Sequence, residues 1–449
     1  MSDPAFTPVL LALPSLTPSL ALEILPHGLT IHRFYVQADG RTHDLVIGPE
    51  DPKDHLNQKY TNTIVGRYAN RLPVQPFTIS RNSLTSSFTP RPNESPSVSL
   101  HGGPTGFDSA FFEPVLDLSS VQLFTEEEKN TVIAEKLNNG SGIVFRRVSE
   151  DGEAGYPGKL LVEVYVSLVE PRGNQVDRPE LKLGSVVIVY RAKLLEPGKV
   201  TPINLTQHWG FNLDASLHDD ISTSSTTASD PLTIKDHKLT IQSSHILALD
   251  SHGLSKGELL NVKGTEHAHG EKEAGRIGER FPGSGYDHFY LFDRQTPSQP
   301  TRIPESELTP STNLLKDVVG SGDDLSSESG KSAESGKGGA VVELESAKSG
   351  LRLSFDTNQS GVQFYTNNLT DPSKGARKKI HGGSGVSGAG DGYGKGTAAF
   401  LEFHEPLAAW LHPSSTKNEN DTLLASGEVY NNWVRADVWF RNGGVGPSA

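Results

Sequence analysis

The chain has 449 residues, of which 21% are charged, and carries a net charge of −13 without any stripe of clustered Lys and Arg, which argues against a general nucleic-acid binder. It contains no cysteine, so disulfides, thiolate catalysis and Cys-based zinc sites are excluded. With 45 glycines, 29 prolines and 7% aromatic residues, the composition suits a loop-rich β protein better than a helical bundle, and the length allows two or three domains or one large β domain.

The N-terminus is apolar in places but is broken by Pro4, Pro8, Pro14 and Pro18, with no Lys or Arg before Arg33. It therefore reads as neither a signal peptide nor a membrane span, and a cytoplasmic protein is expected. Residues 20–54 read as short strands, with Ala38-Asp39-Gly40 as a hairpin turn. Residues 60–73, YTNTIVGRYANRLP, carry Arg67 and Arg71, which on their own would be surface or ion-paired arginines. In LHGGPTGFD, residues 100–108, two glycines after His101 permit close backbone approach or positive φ, so His101 either stands at the lip of a pocket or ends a turn.

Residues 115–147 are ambiguous, and their EEEKN run reads as a solvated loop. After the turn cluster DGEAGYPG, Val162, Val164, Val166 and Leu168 alternate with Glu163, Tyr165 and Ser167, the pattern of a half-buried strand. Residues 185–193 supply its antiparallel partner.

Residues 201–213, TPINLTQHWGFNL, read as a strand with two chemically distinct faces. Asn204, Thr206, His208, Gly210 and Asn212 fall on one side, a polar cleft face able to bind a polyhydroxylated ligand and to move a proton near neutral pH. Leu205, Trp209, Phe211 and Leu213 fall on the core side. A lone strand histidine more often serves as a satisfied structural group, so His208 needs company to count as functional.

Further on, His267 and His269 flank Ala268, but no carboxylate pattern accompanies them and no metal is expected there. Asp287, in GSGYDHFYLFD, sits in an otherwise apolar strand, where a carboxylate is costly unless paired. His288 points to the opposite face and reads as structural. Residues 319–340 and 372–396 are Gly- and Ser-rich and read as flexible insertions; the second fits no phosphate-loop pattern. Between them, GVQFYTNN contains Gln363. In AAFLEFH, Phe400, Glu402 and His404 share one face, and Glu405 follows.

Taken in this order, VGRYANRLP, HGGPTGFD, GYPG, TPINLTQH, YDHF, GVQFYTNN and FLEFH resemble the aldose 1-epimerase (galactose mutarotase) family. The resemblance implies an all-β fold, a large antiparallel β-supersandwich with long loop insertions, forming one domain over residues 1–449. It implies a cofactor-independent isomerase that interconverts the anomers of a free aldose such as glucose or galactose. By the same resemblance Glu402 is the catalytic base, His208 the acid and His101 a second donor, while Asn70, Arg71, Asp287 and Gln363 bind the sugar. A monosaccharide is then the partner, without nucleic acid, membrane or metal, and the protein is a monomer or weak dimer. Gln207, Trp209-Gly210 and Phe403-His404 depart from the family pattern. Three other chemistries stay open: a glycoside hydrolase using Asp287 and Glu402, a metal enzyme using His101, His208 and Glu402, and a non-catalytic sugar-binding protein.

Overall fold

Two runs of β-branched and apolar residues, Leu160–Val169 and Glu180–Leu194, form the middle of the larger of two packed sheets. Apolar side chains at every second position, Val162, Val164, Val166 and Leu168 in the first and Val186, Ile188 and Ala192 in the second, give each strand a hydrocarbon face. The computed structural model describes residues 3–171, 179–217, 232–270, 272–294, 299–320, 340–416 and 420–441, and among these the larger sheet has nine strands and its partner six. The strands run antiparallel to their neighbours. Val162, Val164, Ile188, Phe355 and Val438 of the larger sheet share one core with Val362, Phe364, Leu401 and Phe403 of the smaller, and Trp209 and Phe211 lie in the same core. A four-stranded N-terminal sheet adds Leu20, Leu22, Phe34 and Val36. This is the antiparallel β-sandwich that the sequence implies.

The strand Leu160–Val169 is not half-buried, because Glu163, Tyr165 and Ser167 are covered as well. The reason lies in the ambiguous stretch before it. Thr125 caps a helical turn at Glu126–Glu128, and Glu128 closes a capping box. The Glu128 carboxylate is fully buried and accepts from both Arg191 nitrogens, at 2.6 and 2.7 Å. The EEEKN run is thus partly interior, and Phe124, Ile133, Tyr165, Val187 and Trp433 form a second apolar layer outside the larger sheet.

Residues 201–213 are also not one strand. Val200–Pro202, Thr206–Gln207 and Gly210–Phe211 pair in turn with Leu423–Ala425, Ile64–Val65 and Ala399–His404. A chain that changes partner this often does not keep one face toward a cleft. Asn204 instead latches the backbone of Glu405, donating to its carbonyl at 2.9 Å and accepting from its N–H at 3.0 Å. Asn212 donates to the carbonyls of Leu232 and Thr397 at 2.6 and 2.9 Å. Gly210 is required by contact, since a Cβ there would lie 2.5 Å from the Phe400 ring.

Residues 372–396, expected as a flexible excursion, are folded against the N-terminal sheet by buried polar anchors. Lys378 Nζ donates to the His32 and Val46 carbonyls at 2.6 and 2.8 Å and pairs with Asp44 at 2.7 Å, both side chains being fully buried. His381 bridges the Tyr393 hydroxyl at 2.6 Å and the Asp44 carbonyl at 2.8 Å. A composition poor in apolar groups gives no sign of such anchoring. Most of the 319–340 insertion lies outside the described residues, as does the polar run 218–231.

Replacing Lys378 by Met removes the nearest counter-charge of buried Asp44, leaving it Arg33 at 3.5 Å, and is expected to cost up to about 3–5 kcal/mol. Urea unfolding measures this, and a Lys378→Met, Asp44→Asn double variant is expected to recover much of the loss.

Candidate active site

The register of the six-stranded sheet decides which side chains meet. Gln363 is paired with Glu402, Tyr365 with Phe400, and Asp287 with Tyr365. Because successive side chains alternate, Glu402, Phe400, Gln363, Tyr365 and Asp287 share one face while Leu401 and Phe364 enter the core. His288 falls on the other face, its ring centroid 4.3 Å from that of His267.

His208 reaches this face at the sheet edge. Its N–H donates to the Thr63 carbonyl at 2.8 Å and its carbonyl accepts from the Asn62 N–H at 2.9 Å. A cavity of about 940 Å³ is lined by all seven residues singled out in the sequence: Asn70, Arg71, His101, His208, Asp287, Gln363 and Glu402. Glu405 is not among its lining residues; its side chain bonds Ser360 instead. Arg67 is buried elsewhere, donating to the Ser149, Glu150 and Pro157 carbonyls.

At the floor of the cavity His208 Nε2 lies 3.2 Å from Glu402 Oε1, with the two side chains only 9% and 2% exposed. Burial pushes the Glu402 carboxyl well above its ordinary range; Asp287 adds to the rise and Arg71 opposes it. Burial pulls the His208 imidazole down to about 4. Glu402 Oε2 and Gln363 Oε1 are buried without a protein partner.

His101 stands beside this pair, its ring edge-on to His208 with centroids 5.2 Å apart. Burial, reinforced by His208 and Arg71, holds its imidazole neutral. The Asn70 N–H donates to His101 Nδ1 at 3.2 Å, so the ring proton sits on Nε2, which is then a donor. His101, Gly102 and Gly103 follow with φ of 51, 86 and 89°, and a Cβ at Gly102 would lie 2.0 Å from the Gly66 carbonyl oxygen. The close approach expected of these glycines is present.

Arg71 is aimed by a residue that the sequence did not flag. Glu94 takes its Nε and Nη2 at 2.8 and 2.9 Å, leaving Nη1 3.6 Å from Asp287 Oδ2. Gln363 Nε2 donates to Asp287 Oδ1 at 2.6 Å. Glu94 sits in an irregular segment with no periodic signal. Tyr365 and Phe400 were within reach, each two residues from a selected position on the same strand face.

His101, His208 and Glu402 offer ligand atoms within 4.8 Å of one another, a spacing compatible with a metal ion. The single lone pair of neutral His101, however, is engaged by the Asn70 N–H, so binding a metal through this ring would break that bond.

Residues 16–436 match the family model described as aldose 1-epimerase. The chain belongs to the aldose 1-epimerase family. Among curated relatives, a galactose mutarotase of Bos taurus is 28% identical over 425 residues, 94% of this chain and 91% of the relative. One of Sus scrofa is 28% identical over 94% of this chain and 90% of its own length. An aldose 1-epimerase of Escherichia coli is 26% identical over 57% of this chain and 59% of the relative. Two solved structures share the fold. An aldose epimerase homologue from C. elegans has a TM-score of 0.62 at 18% identity, with 94% of this chain and 97% of that one covered. A galactose 1-epimerase from Lactobacillus acidophilus has a TM-score of 0.57 at 15% identity, with 94% and 91% covered. Among the described residues no helix is long and apolar enough to cross a membrane.

Replacing Glu94 by Gln in this epimerase removes the charge that orients Arg71. The KM for sugar is expected to rise about tenfold with a much smaller change in kcat, as measured by steady-state mutarotation kinetics.

Proposed function

We propose that Glu402 is the base and His208 the acid with which this aldose 1-epimerase interconverts the α and β anomers of a free aldose, galactose and glucose being the first candidates. His101 Nε2–H is a second donor toward the ring oxygen, and Asn70, Arg71, Asp287 and Gln363 hold the hydroxyls. The observation that carries the assignment is the 3.2 Å contact between an imidazole and a carboxyl on the floor of one cavity. The names of the mammalian relatives, galactose mutarotases, support the choice of sugar.

Anomer exchange requires a proton to leave the C1 hydroxyl while another reaches the ring oxygen. The O–H electrons become the C1 carbonyl, the C1–O5 bond breaks, and rotation about C1–C2 followed by reversal closes the ring on the other face. An acid and a base in contact are suited to this, because one group takes a proton as the other gives one up. Sugar hydroxyls entering beside Arg71 stabilise the carboxylate form of Glu402, the form that accepts the C1 hydroxyl proton. The unpartnered Glu402 Oε2 and Gln363 Oε1 accept sugar hydroxyls.

Glu402→Gln keeps the shape and removes the base. Its kcat is expected to fall by about 10² to 10⁴ with the unfolding midpoint retained. Polarimetry of freshly dissolved α-galactose and α-glucose reads the rate, and a fully active variant would refute the assignment. The pH dependence has a defined sign. The pair works with one titratable proton between acid and base, and a second proton at His208 stops it, so kcat/KM is expected to drop as pH approaches about 4. An acid limb centred near the ordinary histidine value would contradict this.

A further inference from the structure

We propose that Phe400 is a positioning residue for the acid: its ring, seated in the space that Gly210 leaves on the neighbouring strand, aims the His208 imidazole at Glu402. The proposal rests on the acid–base assignment above and adds to it the group that orients the acid.

An imidazole that transfers a proton through one ring nitrogen is ordinarily oriented by a hydrogen bond at the other. In His208 that support is incomplete. Among the described residues its buried Nδ1 has no well-formed hydrogen bond, and the Tyr60 carbonyl favours the charged ring without completing one. The His208 backbone is fixed by Asn62 and Thr63, so rotation of the side chain is limited by the Glu402 contact and by packing.

Four rings surround the imidazole. The centroid of Phe400 is closest at 4.8 Å, with the planes inclined by 55°; His101, Tyr60 and Tyr365 follow at 5.2, 6.3 and 6.4 Å. Phe400 is itself held from several sides. It is 2% exposed and packs in a cluster with Ile47, Tyr393 and Ala398. Tyr365, its partner on one neighbouring strand, lies 5.5 Å away and is tied down where its hydroxyl accepts from the Leu369 N–H at 2.8 Å. Its partner on the other strand is Gly210, where a Cβ would lie 2.5, 2.6 and 2.9 Å from three atoms at the far edge of the ring. Gly210 does not adopt a positive φ, so glycine is required there by the ring and not by the backbone. Gly210 and Phe400 thus act as a unit: filling the first displaces the second, which bears on His208.

The ring also keeps water from part of the imidazole, and burial is the main reason that His208 resists a proton. The other titratable groups bearing on His208 are Glu402 in contact with it, His101 beside it, His404 on the Glu402 strand, and the Tyr60 and Tyr365 hydroxyls; Arg71 and Asp287 act on it through Glu402. Shortening Phe400 alters none of them chemically, so a shift of the acid limb reports the loss of the ring.

Phe400→Leu and Gly210→Ala are assayed by polarimetry of fresh α-galactose and α-glucose, with the unfolding midpoint measured for each. Phe400→Leu is expected to lower kcat about ten- to a hundredfold while KM changes less than about threefold. The acid limb of its kcat/KM is expected to rise by about one pH unit, toward the ordinary histidine value. Gly210→Ala is expected to lower kcat in the same way, and to cost nothing further in the Phe400→Leu background, because losses passed through one contact do not add. A folded Phe400→Leu with unchanged kcat and acid limb overturns the proposal, as does a loss confined to KM, the mark of a sugar contact. Additive losses in the double variant overturn it too. Where Phe400→Leu does not fold, Gly210→Ala carries the test, and an unaltered kcat there overturns the proposal. His208→Gln separates the two readings. If that variant is fully active, the acid assignment and this proposal fall together; if it is inactive while Phe400→Leu is unimpaired, this proposal alone falls.

Discussion

Two residues of backbone pairing at the edge of the six-stranded sheet govern the site. Gly210 lies opposite Phe400 and Phe211 opposite Ala399, and carrying that antiparallel register two residues further sets His208 opposite Glu402. A slip by one residue would turn Glu402 into the core and leave a leucine in its place, so the register is under strong selection by burial alone. The latch of Asn204 on the Glu405 backbone and the stack of Phe400 over Gly210 both resist such a slip. The family departure Trp209-Gly210 is accommodated on the same terms: Trp209 fills the core beside Phe211 and Phe355, and Gly210 leaves room for the Phe400 ring.

Around that register the protein spends stability on groups left incomplete. A carboxyl and an imidazole are desolvated together, two acceptor oxygens lie buried without donors, and Asn70 and His101 hold left-handed backbone conformations side by side. Each is costly, and the unpartnered oxygens are ones that ligand hydroxyls can satisfy. The neighbouring charges are arranged with the same economy. Asp287 is held by Gln363 and Arg71, Arg71 by Glu94, and the chain of contacts fixes the direction in which every donor points.

Much of this was legible in the sequence because period-two alternation survives wherever a strand keeps one partner. The sharing of a face by Phe400 and Glu402, the exclusion of His288 and the tight approach of the glycines after His101 all follow from local pattern. The pattern failed where neighbours distant in sequence intervene. Glu163 and Tyr165 look solvent-facing until residues 113–138 fold over them, and Glu128 looks like one of a run of surface acids until Arg191 claims it. Residues 201–213 alternate correctly yet pair with three partners in turn, so Asn204 and Asn212 become latches and, within this segment, only His208 lines the cavity. Glu94 and the Lys378 anchor were invisible for a simpler reason: a charged residue in an irregular segment carries no period to read.

The buried pair of Lys378 with Asp44 also constrains the order in which the molecule can be completed as it is made. Asp44 emerges from the ribosome early and must wait, hydrated, until the segment bearing Lys378 has followed. Glu402 emerges later still, well after His208. No nascent intermediate therefore carries both the finished wall of the cleft and the His208–Glu402 contact before residue 402 has emerged.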